Sequence, residues 1–232
     1  MGYILYKFDQ QKSKTRGVLF DLDGIVLDTE KLYNRFWREA SASLGYPMTF
    51  EQALGMRSLS KTAGQAKLEE YFGKGISLPV VRARRIELMD AYIAEHGVDL
   101  KPGIVELMDY LQANHIKTAI TTSSPMDRLR RYLGPHGLLD RFDRLCSGYD
   151  VPRSKPEPDI YLYGADSLGL DPCECLALED SAAGILSAYR AGCMTVMVPD
   201  LDQPDEETEK LLYAKADSLV DVIDIISKKN GR

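Results

Sequence analysis

Residues 18–24 read VLFDLDG, and the fold assignment starts from this stretch. Its first three residues are large and apolar, which predicts a buried strand, and two aspartates follow where that strand ends, Asp21 and Asp23. Side chains two residues apart in an extended chain point to the same face, and Gly24 behind them permits a sharp turn. The stretch predicts a pair of carboxylates that act together or, as the ordinary alternative, acidic residues that cap the next element.

Short apolar runs alternate with amphipathic segments from Arg16 onward, a pattern typical of parallel strands joined by helices. The predicted strands are residues 17–21, 117–121, 144–147, 175–179 and 195–198. In open parallel sheets, ligands bind beyond the carboxyl ends of the strands. The sequence therefore predicts an α/β fold with a parallel sheet, and the polar residues at these strand ends are the first candidates for a site.

Residues 29–100, between the first two predicted strands, have apolar residues at helical spacing and no convincing strand. Glycines and prolines divide the region into three predicted helices, residues 31–44, 58–72 and 79–96. The region is too long for a simple crossover, so we expect a helical domain inserted into a core. The predicted domains are a core of residues 1–28 and 101–232 and an insert of residues 29–100.

The composition narrows the classes of partner. The 232 residues are 44% hydrophobic and carry a net charge of −6, with no dense lysine and arginine stripe for a nucleic acid. No apolar run is long enough to span a membrane, and the start lacks a secretory signal pattern. The four cysteines lack the spacing of a structural zinc site, so we expect reduced thiols. We therefore expect a cytoplasmic protein with a small-molecule partner, either a monomer or a weak dimer.

Three further motifs follow predicted strands. Residues 121–125 read TTSSP, whose amides and hydroxyls could bind phosphate oxygens or could cap a helix. Residues 154–158 read SKPEP, where prolines restrict Lys155, which could bind phosphate or be an ordinary loop lysine. Residues 178–181 read LEDS, whose carboxylates suit Mg²⁺ or favour a helix N-terminus. Each motif is ambiguous alone.

Electrostatics indicates that these motifs belong to one site. Two like charges about 4 Å apart repel by about 4 kcal/mol at an effective dielectric of 20, so a carboxylate would attack a phosphate dianion only against strong opposition. A divalent cation held by Asp21 and Asp180, with Lys155 on the same phosphoryl group, would turn that repulsion into stabilisation of the transition state. We therefore expect the four motifs to converge.

In this order, the four motifs resemble those of the haloacid dehalogenase superfamily of hydrolases, and within it the β-phosphoglucomutase-like group with a helical cap. The resemblance rests on FDLDG at residues 20–24, Thr122, SKPEPD at residues 154–159 and LEDS at residues 178–181. It implies a Rossmann-like core, an inserted cap domain and a Mg²⁺-dependent phosphatase that acts on a phosphomonoester.

The resemblance also implies roles for individual residues. Asp21 would attack phosphorus and form an aspartyl-phosphate. Asp23 would be the general acid for the leaving group and then the general base for water. Thr122 and Lys155 would hold the phosphoryl oxygens, with the amide of Ser123 close by.

The implied metal ligands overlap with these residues. Asp21, Asp180 and the backbone carbonyl of Asp23 would bind Mg²⁺, and Glu179 is a further candidate for direct or indirect contact with the ion. The presence of Asp23 argues against dehalogenation, since haloalkanoate dehalogenases lack the second aspartate.

The choice between a phosphatase and a phosphosugar mutase depends on the insert. Mutases of this group carry a histidine where residues 30–34 offer Tyr33, and their arginine-bearing loop looks altered in residues 55–58, which read GMRS. These departures favour a phosphatase of sugar or nucleoside monophosphates. A mutase of the β-phosphoglucomutase type and a non-catalytic binding protein remain alternatives. Arg57 is the predicted substrate contact in the insert, against the alternative that it only faces solvent.

Overall fold

The structure is a computed structural model that describes residues 2–6, 14–57, 59 and 61–231. Contacts divide the chain into two compact units, one with the residues up to Leu27 and from Leu100 onward, the other spanning Asp28–Asp99. These boundaries lie one residue from those that the sequence predicts.

The first unit contains a seven-stranded sheet in the order β1-β7-β6-β5-β2-β3-β4. Its strands are β1 Tyr3–Leu5, β2 Gly17–Phe20, β3 Lys117–Thr122, β4 Arg144–Ser147, β5 Cys175–Glu179, β6 Met194–Met197 and β7 Ala214–Ala216. All neighbouring strands are parallel except β1, which pairs antiparallel with β7. The predicted α/β fold with a parallel sheet is confirmed.

Among its described residues, the first unit also contains six α-helices that connect and follow the strands. They are α5 Ile104–Ala113, α6 Met126–Leu133, α7 Asp159–Ser167, α8 Ala182–Ala191, α9 Glu206–Glu209 and α10 Leu219–Asn230. The helices α1 to α4 belong to the second unit. None of the helices in the described ranges is long and apolar enough to cross a membrane. None of the four cysteines forms a disulfide bond.

The centre of the sheet explains why its sequence is a continuous apolar run. β2 lies between β3 and β5, and Val18, Leu19 and Phe20 are completely buried. Parallel strands covered on both faces lose the alternation of apolar and polar residues, and each such side chain contributes about 1.5–3 kcal/mol by burial. The ring of Phe142 packs edge-on against Phe20 at 5.5 Å between centroids.

The strand bounds differ slightly from the prediction. β4 and β5 match it, whereas β3 is one residue longer and β6 begins and ends one residue earlier. β2 ends at Phe20 rather than Asp21, because the chain turns there, although the Asp21 amide still donates to the carbonyl of Leu178 at 3.0 Å. The turn is completed at Gly24, whose φ of 86° is a left-handed conformation that favours glycine.

The second unit is helical, as the sequence predicts. Its helices are α1 Glu30–Ser43, α2 Phe50–Leu54, α3 Lys61–Phe72 and α4 Leu78–His96. The short α2 was not predicted, and a capping box at Thr49 and Gln52 fixes its start. The predicted start of α3 at Ser58 lies outside the described residues. Trp37 of α1 and Leu68 of α3 are buried in the core of this unit.

Candidate active site

The parallel register brings the predicted residues to one edge of the sheet. Phe20 of β2 lies beside Ile120 of β3 and Leu178 of β5. The next residue of each strand lies one step further along, so Asp21 comes level with Thr121 and Glu179. The first, second and fourth motifs therefore meet at the carboxyl ends of three adjacent strands, as expected for an open parallel sheet.

Lys155 links these strands by hydrogen bonds. Its Nζ donates to Asp21 Oδ1 at 2.7 Å, to Glu179 Oε1 at 2.6 Å and to the Thr121 carbonyl at 3.0 Å. The side chains of Lys155, Asp21 and Glu179 are only 9%, 12% and 1% exposed. Because these ion pairs are nearly dry, they hold the lysine far more rigidly than a surface pair would.

Burial and neighbouring charges shift the pKa values of Asp21 and Lys155. Burial raises the pKa of Asp21 to about 8, although the Lys155 ammonium opposes the rise; the carboxylates of Glu179 and Asp23 add to it. Burial lowers the pKa of Lys155, but Asp21 and Glu179 outweigh it and raise that pKa above its usual value. Lys155 therefore stays charged between the carboxyl groups of Asp21 and Glu179.

Glu179 is fixed by three side-chain donors. Besides Lys155, the hydroxyl of Tyr161 donates to its Oε1 at 2.5 Å and Ser181 Oγ donates to its Oε2 at 3.1 Å. Burial, followed by the charge of Glu179, raises the pKa of Tyr161 well above its usual value, so the phenol keeps its proton. Sequence reasoning missed Tyr161, because nothing distinguishes this tyrosine from an ordinary core aromatic of α7.

The loop after β3 holds the second aspartate. Ser124 Oγ donates to Asp23 Oδ2 at 3.1 Å, and the Ser124 amide donates to Thr122 Oγ1 at 3.0 Å. Thr122 is buried, and its hydroxyl hydrogen remains available for another acceptor. Ser123 is exposed, and its amide makes no hydrogen bond within the described part of the chain. Ser124 is thus a contact of Asp23 that the motif alone did not reveal.

Three of the four predicted metal ligands form a cluster. Asp21, Glu179 and Asp180 are buried, and each offers a carboxylate oxygen within 4.8 Å of the others. Oxygen donors of this kind suit hard divalent cations. A carboxylate has about four acceptor positions, and Lys155, Tyr161 and Ser181 occupy three of those on Glu179, which leaves room for one more contact. The cluster therefore fits a divalent metal ion, with Glu179 as its most constrained member.

Gly184 gives Glu179 the space that it needs. Ser181 caps α8 by accepting from the Gly184 amide at 3.1 Å, which brings this turn against the carboxylate. A Cβ atom at position 184 would lie 1.9 Å from Oε1 of Glu179, far inside any permitted contact. Glycine is therefore required here by close approach rather than by backbone conformation.

We expect Gly184→Ala to lower the hydrolytic rate by at least about tenfold and to destabilise the fold by about 1–3 kcal/mol, because Glu179 must move and release Lys155. Steady-state assays and urea unfolding measure both effects. Gly134→Ala is the matched control, because its Cβ would meet only Leu139 Cδ1 at 3.6 Å. Full activity in Gly184→Ala would show that the position of Glu179 is unimportant.

Arg57 lies in the Asp28–Asp99 unit and is not a solvent-facing side chain. Its Nε donates to Glu30 Oε2 at 2.6 Å, and the two side chains are only 10% and 12% exposed. Tyr33, where mutases carry histidine, lies under the guanidinium of Arg85, which is 4.8 Å from its ring centre. Ser58 of the predicted substrate loop lies outside the described residues, and contact of Arg57 with substrate remains a prediction.

Comparison with known proteins assigns the family. The model of the haloacid dehalogenase-like hydrolases matches residues 15–192, more than half of the chain and all four motifs. The chain belongs to the haloacid dehalogenase-like hydrolases. The resemblance inferred from the motifs is confirmed.

Relatives of this hydrolase match most of its length. Protein CbbY of Rhodobacter capsulatus is 33% identical over 196 residues, which cover 79% of this chain and 85% of that protein. Hexitol phosphatase B of Escherichia coli strain K12 is 30% identical over 210 residues, 88% of this chain and 92% of that protein. The crystal structure of CbbY from Rhodobacter sphaeroides in complex with phosphate has a TM-score of 0.74 at 27% identity and covers 90% of this chain and 96% of that one.

Proposed function

We propose that this hydrolase is a Mg²⁺-dependent phosphatase that releases phosphate from a small phosphorylated metabolite, a sugar or nucleoside monophosphate, through an aspartyl-phosphate. The observation that carries the proposal is the 2.7 Å contact between Lys155 Nζ and Asp21 Oδ1 within a cluster of buried carboxylates. A nucleophile is here adjacent to the cation that would bind the phosphoryl group. The named phosphatase among the relatives supports the proposal.

The first half of the reaction is phosphoryl transfer to Asp21. A carboxylate oxygen of Asp21 forms a bond to phosphorus as the bond from phosphorus to the leaving oxygen breaks. Asp23 gives its proton to that leaving oxygen, and the Ser124 hydroxyl at 3.1 Å holds the Asp23 carboxyl in place. The Thr122 hydroxyl and the Lys155 ammonium bind the other phosphoryl oxygens.

The second half is hydrolysis. Asp23, now a carboxylate, takes a proton from water as the water oxygen bonds to phosphorus and the bond from phosphorus to Asp21 breaks. Asp21 returns as a carboxylate and inorganic phosphate leaves. Lys155 is held throughout by Glu179, which Tyr161 fixes in turn, so the charge of the lysine does not have to be positioned during either step.

The metal site would be formed by Asp21, Asp180 and the backbone carbonyl of Asp23, with Glu179 as the remaining candidate. When bound, Mg²⁺ would neutralise phosphoryl charge and polarise the phosphorus. The raised pKa of Asp21 fits this assignment, since a second cation would favour the ionised carboxylate that has to attack.

We also propose that the Asp28–Asp99 unit is the cap domain and that Arg57, oriented by Glu30, contacts the substrate. Lids of this kind exclude water and complete the site on closure. The core assignment of the rest of the chain, the cytoplasmic location and the monomer or weak dimer remain predictions from the sequence.

Product analysis tests the proposed function against the mutase. We expect the purified enzyme with Mg²⁺ to release inorganic phosphate from p-nitrophenyl phosphate and from one or more phosphorylated metabolites in a panel. The release of phosphate should stop when the metal is chelated. With β-glucose 1-phosphate and a trace of the bisphosphate, glucose 6-phosphate as the main product would favour the mutase. No turnover of any compound would favour the binding protein, although every motif residue of a catalyst is present.

A further inference from the structure

A polar cavity lies at the end of the central strands opposite to the candidate active site. Its volume is about 210 Å³, and its lining includes Thr15 and Arg16, which precede β2, and Lys117, which begins β3. Asp21 follows the opposite end of β2. At about 3.3 Å per residue of strand, five residues place Arg16 roughly 17 Å from Asp21, so the cavity is separate from the candidate active site.

The lining of this cavity is positively charged. It includes Lys14, Arg16, His115 and Lys117, and none of the described residues that line it is acidic. Arg16 is paired with Glu174 at 2.8 Å. Lys117 Nζ donates to the Leu168 carbonyl at 2.6 Å, which leaves its charge unbalanced. Neither Lys14 nor Lys117 has a carboxylate partner in the part of the chain that the structure describes.

Polar neutral groups complete the lining. The Asn230 side chain accepts from the Thr15 amide at 2.9 Å and donates to the Thr15 carbonyl at 3.1 Å, which fixes this segment against α10. Thr15 is only 2% exposed, yet its Oγ1 has no hydrogen-bond partner among the described residues. A buried hydroxyl without a partner is unfavourable, so an additional partner beside it would be stabilising.

The backbone beside the cavity is unusual as well. His115 has a φ of 55°, the one non-glycine residue with positive φ in the described ranges. Left-handed backbone is uncommon for such residues and is found preferentially where a site needs a particular geometry. His115 and Lys117 both line the cavity.

We propose that this cavity binds a small dianion of the phosphate type, inorganic phosphate or a small phosphomonoester. Of its three permanent cations Glu174 balances one, so two positive charges remain, which matches a dianion. Ammonium groups bind phosphate oxygens through charge-assisted hydrogen bonds. The volume equals that of roughly seven water molecules, which is enough for inorganic phosphate or a small phosphomonoester.

Calorimetric titration of the full chain with inorganic phosphate tests the proposal without any catalytic turnover. Lys14→Gln with Lys117→Gln is expected to weaken one class of phosphate site by about a hundredfold, since each of the two lost charged contacts costs about tenfold in affinity. Lys61→Gln with Lys74→Gln, two exposed lysines of the other unit, removes the same charge and is expected to leave binding unchanged. Indistinguishable isotherms for all three proteins would overturn the proposal.

Diffraction from crystals soaked in tungstate, a phosphate mimic, locates the ion directly. An anomalous peak within hydrogen-bond distance of Lys14 and Lys117 is the expected result. A peak only near Asp21, or none, would contradict the assignment. If the double variant does not fold, Lys14→Gln alone keeps the comparison possible, because Lys14 is exposed and makes none of the described contacts.

Discussion

Asp21→Asn is expected to lower phosphate release from p-nitrophenyl phosphate on the order of 10⁴-fold or more, the scale found when a nucleophile is removed. An amide cannot form the aspartyl-phosphate, and the remaining groups at the site cannot replace that bond. Steady-state kinetics with Mg²⁺ at saturating substrate measures the effect. Equal rates for Asp21→Asn and the wild type would show that another residue attacks phosphorus.

Folding controls keep this result interpretable. Burial raises the pKa of Asp21 to about 8, so the charged carboxylate is costly in the folded protein, and a neutral amide of the same shape relieves that cost. We therefore expect Asp21→Asn to melt at or above the wild-type temperature. Asp140→Asn makes the same chemical change on an exposed aspartate and is expected to keep full activity.

Lys155→Met is expected to lower both activity and stability. Removal of one partner from a buried ion pair leaves the other charge without compensation and costs about 3–5 kcal/mol, and here Asp21 and Glu179 both lose their partner. The rate should fall on the order of 10³-fold, because the phosphoryl oxygens lose a preorganised cation. Urea unfolding and steady-state kinetics measure the two effects.

A second substitution separates the effect on the rate from the effect on stability. In Lys155→Met with Glu179→Gln, one of the uncompensated charges is removed, so part of the lost stability should return while the rate stays low. Recovery of the rate would show that Lys155 acts only through the fold. A Lys155→Met protein as stable as the wild type would mean that the three-way contact of the ammonium is not formed.

The sheet could be predicted where burial leaves a signature in the sequence. The central strands are covered on both faces, so they are continuous apolar runs, and their parallel direction follows from the alternation with helices. β1 and β7 were missed because each has three residues, and their pairing joins Tyr3 to Ala216 across nearly the whole chain. A pattern within a few neighbouring residues cannot indicate that two strands so far apart in the sequence will pair.

The convergence of the motifs was predictable for a topological reason, since the carboxyl ends of neighbouring parallel strands meet at one edge. The contacts that hold the motifs in place could not be predicted from the sequence. Tyr161 reaches Glu179 from α7, and Gly184 is needed because its Cα lies against that carboxylate. Both depend on how helices pack on the sheet. The pairing of Arg57 with Glu30 depends likewise on the fold of the helical unit.

Chemical trapping of the intermediate tests most directly whether Asp21 is the nucleophile of a phosphatase. The Asp23→Asn variant is suited to it, because p-nitrophenolate leaves without a proton from an acid, whereas hydrolysis of the aspartyl-phosphate needs the missing base. Borohydride reduces an aspartyl-phosphate to homoserine, which mass spectrometry of the peptides locates. We predict homoserine at position 21 only after incubation with substrate and Mg²⁺. Homoserine at another aspartate, or a burst of p-nitrophenolate with position 21 unmodified, would contradict the mechanism.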